Sequence, residues 1–339
     1  MDYTGLGRFV QFKVNRPLAA SERADQLRLD RQASETPQDW LSVVKINSTY
    51  LELVDRWYPV KGWWTWMGTL IAFPALALVI ALTTVAIGRN ELGGWVLFAA
   101  FVPVFGAFIW LGALMVQTES FRHTHYPIQL NRRTRQVFFF RTDGTVGQIA
   151  WDRLFLCAVK TELTMWQSSE DVRARVLGED KETVTETFTV AYPDLGGRRE
   201  LMQLWEYIRR YMEAEGGVEA CHREVGLCLP VDGRREGLAF GVVRVFAMAA
   251  NRPFLQLIAS PIASLTVLGR WFAMVTSRVP RWPAYVEDLC RVDAADPYKK
   301  DWRDNGKYDF YELGWPVICF VVGLTVVMAG VIWLVASII

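Results

Sequence analysis

The chain is poor in the residues from which catalytic and metal-binding motifs are built. Only three of its 339 residues are histidine, and its five cysteines, Cys157, Cys221, Cys228, Cys290 and Cys319, include no CxxC pair. An odd number of cysteines without paired spacing excludes a disulfide framework and a zinc module, and fits a reducing compartment. His123-x-His125, with Cys221-His222 and Cys228, matches no metal-ligand spacing, so neither a metal nor a cofactor is read. Walker, dinucleotide-binding, nucleophile-elbow and HExxH patterns are all missing, which leaves no catalytic residue to assign. Excess charge is missing too: 37 basic and 36 acidic residues leave a net +1, which argues against a nucleic-acid partner. The first 62 residues have no continuous apolar core, so no cleavable signal is read there and the first hydrophobic helix must serve for targeting.

The most informative absence is local. Trp63 to Ile87, Leu92 to Val116 and Trp315 to Ile339 contain no Asp, Glu, Lys, Arg or His. Each is long enough to cross about 30 Å of hydrocarbon. Gly88 to Glu91 leaves room only for a tight turn, so the first two form an antiparallel hairpin. Arg56 and Lys61 precede the hairpin, Arg122, Arg132, Arg133 and Arg135 follow it, and Arg89 stands alone in the turn. The positive-inside rule then predicts a membrane protein with a cytoplasmic N-terminus and a C-terminus at the far face. Trp57, Tyr58, Trp63, Trp64 and Trp66, and later Tyr308, Tyr311 and Trp315, sit where interfacial aromatic belts are expected. Without an ionisable group at membrane depth the windows do not suggest an ion or proton pathway. Gly323 and Gly330 offer close packing on the third helix.

Between the spans, strand-like runs are read at Pro127–Asn131, Gln136–Thr142, Val146–Trp151, Leu154–Lys160, Glu162–Gln167, Val172–Leu177 and Thr183–Ala191, with Asp143-Gly144 as a hairpin turn. After Asp194-Leu-Gly-Gly, a turn, the period becomes helical: Leu201, Leu204, Trp205, Ile208, Tyr211 and Met212 share a face, and Gly216-Gly217 ends the run. Antiparallel strands closed by a helix resemble the pleckstrin-homology architecture. The expected class is therefore an α+β membrane protein, with three transmembrane helices and a cytoplasmic β-rich domain that ends in a helix. Its divisions are an N-terminal arm (1–62), a transmembrane hairpin (63–116), the β domain (117–236), an amphipathic or interfacial helical region (237–314) and a last span (315–339).

Leu238 to Thr276 is nearly as apolar as a span but carries Arg244, Arg252 and Arg270, with Pro253 and Pro261 as breaks. An arginine at mid-membrane costs roughly 2.5–3.5 kcal/mol, so an interfacial or re-entrant element reads better than a crossing, and packing as core helices stays open. Arg132, Arg133 and Arg135 lie near the inner membrane face and are the candidate contacts for anionic lipid, or else flanking charges in a solvated turn. Glu287, Asp288, Asp293 and Asp296 read as a solvated acidic loop.

The segments INSTYLELVDRWYPVKG, YPIQLNRRTRQVFFFRTDG and LIASPIASLTVLGRWFAMVTSRVPRWPAYVEDLCRVDAADPY resemble those of an uncharacterised family of Gram-negative membrane proteins, domain-of-unknown-function family 6708. That resemblance implies a place near type VI secretion and effector genes and an accessory or immunity role, and it carries over no functional residue. The expected function is a non-enzymatic membrane protein that presents a cytoplasmic domain to a protein partner, a secretion component or an effector, with homo-oligomerisation open. The alternatives are a membrane-bound enzyme acting on lipid or envelope substrates, which would need a cleft joining residues such as His123, His125 and Asp152, and a membrane-perturbing effector.

Overall fold

The computed structural model describes residues 13–164, 167–193 and 197–338. Residues 1–12 of the arm, Met165 and Trp166, the Asp194–Gly196 turn and Ile339 lie outside the described residues. In chain order the elements begin with β1 (Arg16–Pro17), α1 (Ala20–Ala24), β2 (Val43–Ile46), β3 (Tyr50–Leu53), α2 (Trp63–Arg89) and α3 (Leu92–Glu119). Then come β4 (Ile128–Asn131), β5 (Gln136–Phe140), β6 (Val146–Ala150), β7 (Leu154–Thr164), β8 (Gln167–Leu177), β9 (Thr183–Ala191), α4 (Arg198–Glu213) and α5 (Gly217–Glu224). The last are α6 (Leu238–Phe246), α7 (Pro253–Ile258), α8 (Ser260–Thr276), α9 (Ala284–Leu289) and α10 (Trp315–Ile338). They form two compact units: residues 1–60, 123–236 and 279–309 make a β-rich unit, and residues 61–122, 237–278 and 310–339 a helical unit.

Two antiparallel sheets build the β-rich unit, one in the order β2-β3-β4-β5-β6 and the other β1-β9-β8-β7. Apolar side chains at alternate positions, Leu51 and Leu53, Ile128 and Leu130, Val137 and Phe139, enter one core with Val172, Ala174, Phe188 and Val190. Phe139 and Phe188 stack at 4.0 Å across it, and Leu201, Leu204, Trp205 and Ile208 of α4 complete it. The Asp143-Gly144 turn forms as expected, because Gly144 adopts φ +87° where a side chain would be strained, while the Asp143 carboxylate accepts from Thr145.

The region set apart as an arm belongs to this unit from Asn15 onward. Tyr50 to Leu53 pairs with Ile128 to Asn131 across the interruption by α2 and α3, a partner too distant in sequence to be seen in a four-residue run. Arg16–Pro17 extends β9, Leu27 N donates to Leu156 O on β7, and Ala33 N donates to the Glu206 carboxylate on α4. The runs read as separate strands at Leu154–Lys160 and Glu162–Gln167 fall mainly in one strand, β7, which pairs antiparallel with β8. Tyr58 is a further correction: it is buried and donates to Glu236, so it is not an interfacial belt residue.

In the helical unit, α2, α3 and the helix Phe310–Ser337 are long and apolar enough to cross a membrane. Helices α2 and α3 meet at Gly68 and Gly112, where a Cβ on either would lie 2.5 Å from the other's carbonyl oxygen. Glu119, at the end of α3, accepts from the Gly62 and Thr65 backbone amides and from the Thr65 hydroxyl, satisfying donors that the start of α2 leaves unpaired. Residues 238–276 pack as helices here: α8 runs against α2 at Gly62 and Gly269 and against α10 at Gly323. Arg244 and Arg270 are both buried. Gly323 would place a Cβ 2.2 Å from Ser260 O, whereas Gly330 has nothing within 4 Å. Gly323→Val is expected to cost about 1–3 kcal/mol or more through overpacking, and Gly330→Val close to nothing. Thermal unfolding of the two variants in mild detergent checks this, and equal effects would contradict the packing.

Candidate functional site

Polar side chains gather in the β-rich unit at three places. The first is the face of the four-stranded sheet that points away from the apolar core. Strand β8 reads Asp171-Val-Arg-Ala-Arg-Val-Leu177; its period of two sends Val172 and Ala174 to the core and Asp171, Arg173 and Arg175 to the opposite face. That face is buried as well. Asp171 accepts from Arg56 at 2.5 Å and from Arg173 at 2.6 and 3.0 Å. The Arg56 guanidinium also lies over the rings of Trp57 and Tyr192. Arg175 donates to Thr187 and to Glu22, and Glu22 also holds Arg16. Burial pushes Arg56 and Arg175 below the usual guanidinium value. Burial opposes the charge of Glu22, but Arg16, the Ala19 amide and Arg175 prevail and hold it down at about 2.

The second cluster lies on the outer face of the five-stranded sheet. Glu52, buried, accepts from Gln129 at 2.7 Å and from Trp282 at 3.2 Å, and Lys45 lies 3.6 Å away. Lys45 also donates to Asp232 at 2.9 Å, which opens the group to the surface, since Lys45 and Asp232 are half-buried. Burial raises Glu52 above the ordinary carboxylate value despite Lys45 and raises Tyr50 to about 12. Lys45 is raised because Glu52, Tyr50 and Asp232 outweigh its own burial.

The third is the β4–β5 turn that carries the proposed lipid-contact arginines. Arg132 donates to Tyr211 O and Ala214 O, so it caps the C-terminal carbonyls of α4. Arg135, at φ +53°, binds Asp152 and Glu213. Only Arg133 of the three is fully exposed. The structure thus brings Arg132 and Arg135 together on α4 and leaves Arg133 for outside contacts.

The residues considered for catalysis have the following neighbours. His123 packs against Tyr126 and Phe140, His125 against Tyr58 and the Thr124 hydroxyl, and Asp152 pairs with Arg135, which holds its carboxyl below the ordinary value. Among the described residues no three His, Cys, Asp or Glu side chains are grouped to hold a metal ion. The acidic loop is partly structural, because Asp296 accepts from the Ser48 amide and hydroxyl. Sequence reading missed the first two clusters. For the first the signal was the two-residue charge period of β8, and for the second the alternation of Lys45, Tyr50 and Glu52 with apolar neighbours.

Among the described residues of the β-rich unit, the large apolar side chains left exposed are Tyr285 and Leu289, one turn apart on α9.

Fold and site together define a mixed α/β protein with two antiparallel sheets and three helices fit to cross a membrane. The chain belongs to the family of unknown function DUF6708, whose model matches residues 105–294, more than half of it. No curated protein and no solved structure matches the chain.

Two measurements follow from these clusters. Asp171→Asn removes the carboxylate between two buried guanidiniums and is expected to destabilise by about 3–5 kcal/mol, whereas Asp152→Asn at the surface is expected to cost less than about 1 kcal/mol; comparing their unfolding in detergent checks the difference. Asp39 is buried near the amides of Gly226 and Leu41, and burial raises its carboxyl to about 6. The folded state therefore holds this proton more tightly than the unfolded chain. The stabilisation is complete below about pH 4 and is lost as pH rises through 6, roughly 3 kcal/mol in all. Asp39→Asn should flatten this part of the stability profile between pH 4 and 7.

Proposed function

We propose that the chain is a non-enzymatic inner-membrane protein that presents its β-rich unit in the cytoplasm for protein binding, as an accessory or immunity factor of type VI secretion in a Gram-negative bacterium. The observation that carries the reading is the exposed pair Tyr285 and Leu289, on a unit whose other large apolar side chains, among the described residues, are buried or half-buried. Aromatic and aliphatic anchors with a polar surround are where binding energy concentrates at protein interfaces.

Two further features support the placement. Arg122, Arg132, Arg133 and Arg135 follow the α2–α3 hairpin, against Arg89 alone in its turn, which favours a cytoplasmic β-rich unit and a periplasmic end for α10. Two antiparallel sheets, β2-β3-β4-β5-β6 and β1-β9-β8-β7, followed by α4, support the reading of a pleckstrin-homology-like unit, one that carries β1 and β2 in addition to seven strands and a helical hairpin between β3 and β4. A fold of this kind does not fix a function, so the binding role rests on the exposed pair on α9. Arg133 remains available to an anionic headgroup at the membrane face.

Crosslinking in the native host followed by purification in mild detergent tests the reading. The wild-type chain is expected to bring down a secretion component or an effector, and Tyr285→Ala with Leu289→Ala to reduce recovery at least tenfold while the protein unfolds at an unchanged temperature. Equal recovery by the variant would remove α9 as the docking face, and a chain that turns over lipid or envelope material would overturn the non-enzymatic reading.

A further inference from the structure

Helix α8 leaves large apolar side chains uncovered while it buries polar ones. Its covered face carries Ser260, Ser264, Thr266 and Arg270 beside Val267, Ala273 and Met274, while Ile262, Trp271, Phe272 and Val275 are exposed. The preceding α7 follows the same rule, with Gln256 buried and Phe254 and Ile258 exposed. The covered polar groups have partners within the helical unit: Ser264 donates to Phe320 O, Trp66 donates to Thr266, and Gln256 donates to Phe246 O. In water the apolar face would turn inward; in hydrocarbon, polar groups must be satisfied internally and the apolar face turns out.

The path of the segment is set by its contacts and by its ends. The amino-terminal part of α8 touches α10 at Gly323, about 12 Å along that helix from Trp315. Its carboxy-terminal part touches Gly62 and Trp66 at the start of α2. It therefore climbs from the interior of one long helix to the beginning of another. Residue 236 and residue 279 both belong to the β-rich unit, so the chain leaves that unit and returns to it. The descending arm, Leu238–Ala249, spans only about 18 Å against about 30 Å of hydrocarbon, too short for a crossing.

We infer that residues 238–278 form a re-entrant helical element whose outer face, from Phe254 to Val275, is embedded in the acyl chains of the leaflet through which the element enters and leaves. Its occupant is lipid hydrocarbon, continuous with the lipid-facing surface of α10, where Val321 and Val322 are exposed. Arg244 and Arg270 are buried, so the outer face from Phe254 to Val275 presents no charge to the hydrocarbon, and the exposed Arg252 lies before that face begins. This inference rests on the long helices lying in a membrane and is independent of which protein the β-rich unit binds.

Nitroxide labels at Ile262→Cys and Phe272→Cys, compared with Val321→Cys on α10 and Asp288→Cys on α9, test it in phosphatidylethanolamine and phosphatidylglycerol vesicles. The expected result is that the first two follow Val321→Cys, with at least tenfold greater relaxation by oxygen than by a water-soluble nickel chelate. Behaviour like Asp288→Cys would overturn the inference while leaving the three spans intact. Nickel access at Val321→Cys would overturn the membrane reading and the inference together. Exclusion of both reagents with spin–spin broadening would mean a second copy covers the face, and also overturns it. In sealed vesicles Gly237→Cys and Arg281→Cys should react with an impermeant maleimide from the same side as Asp288→Cys; reaction from opposite sides would mean a crossing.

Discussion

The pairing of β3 with β4 is the constraint on which the architecture depends. Leu53 lies opposite Ile128 and Tyr50 opposite Asn131, and everything from Val54 to Pro127, including both helices of the hairpin, is looped out between adjacent strands. Strands in register have neighbouring ends, so the inserted helices must leave and return at nearly the same place. An antiparallel helical pair with a tight turn at Asn90 satisfies that condition. The close approach at Gly68 and Gly112 and the Glu119 cap on the start of α2 keep the two strand ends together from the other direction.

The two units distribute polarity in opposite ways. In the β-rich unit apolar side chains fill the core, yet the far face of the four-stranded sheet is also covered, so its charges are held in pairs: Asp171 with Arg56 and Arg173, Glu22 with Arg16 and Arg175. Such pairs contribute little net stability compared with apolar replacements, but they fix geometry, because losing one member leaves a buried charge alone. They fasten the amino-terminal strap, through Glu22, and the segment leading to α2, through Arg56, onto the same sheet. In the helical unit many large apolar side chains face outward, and small and polar ones meet between helices beside an apolar cluster of Val242, Val245, Phe246 and Val267, a distribution that suits hydrocarbon surroundings.

What could be read from the amino acids differs by the range of the interaction. The charge-free windows, the Asp143-Gly144 turn and the amphipathic face of α4 are local patterns, and each takes its expected form. Strands β2 and β3 escaped notice because four residues carry little pattern and their partner follows only after the helical hairpin. The buried charges of β8 look like an exposed face, since nothing in Asp171-Val-Arg-Ala-Arg tells whether another segment covers it. The arginine turn was legible as a basic cluster, but the commitment of Arg132 to the Tyr211 and Ala214 carbonyls depends on where α4 ends in space. Tyr285 and Leu289 could not be marked as a surface pair without knowing which of their neighbours the core takes.

The interrupted β-rich unit also bears on how the chain becomes itself during synthesis. Its three stretches are separated by helices, and the Ile46–Lys300 bridge joins the earliest stretch to the last. Closing a flexible loop costs entropy that grows with its length, but a folded α2–α3 hairpin brings its own ends together and so shortens the loop that β3 and β4 must close. The hairpin thereby acts as a template for the pairing of the strands on either side of it. Without it those strands have partners far away in the chain and are exposed to pairing with other copies instead.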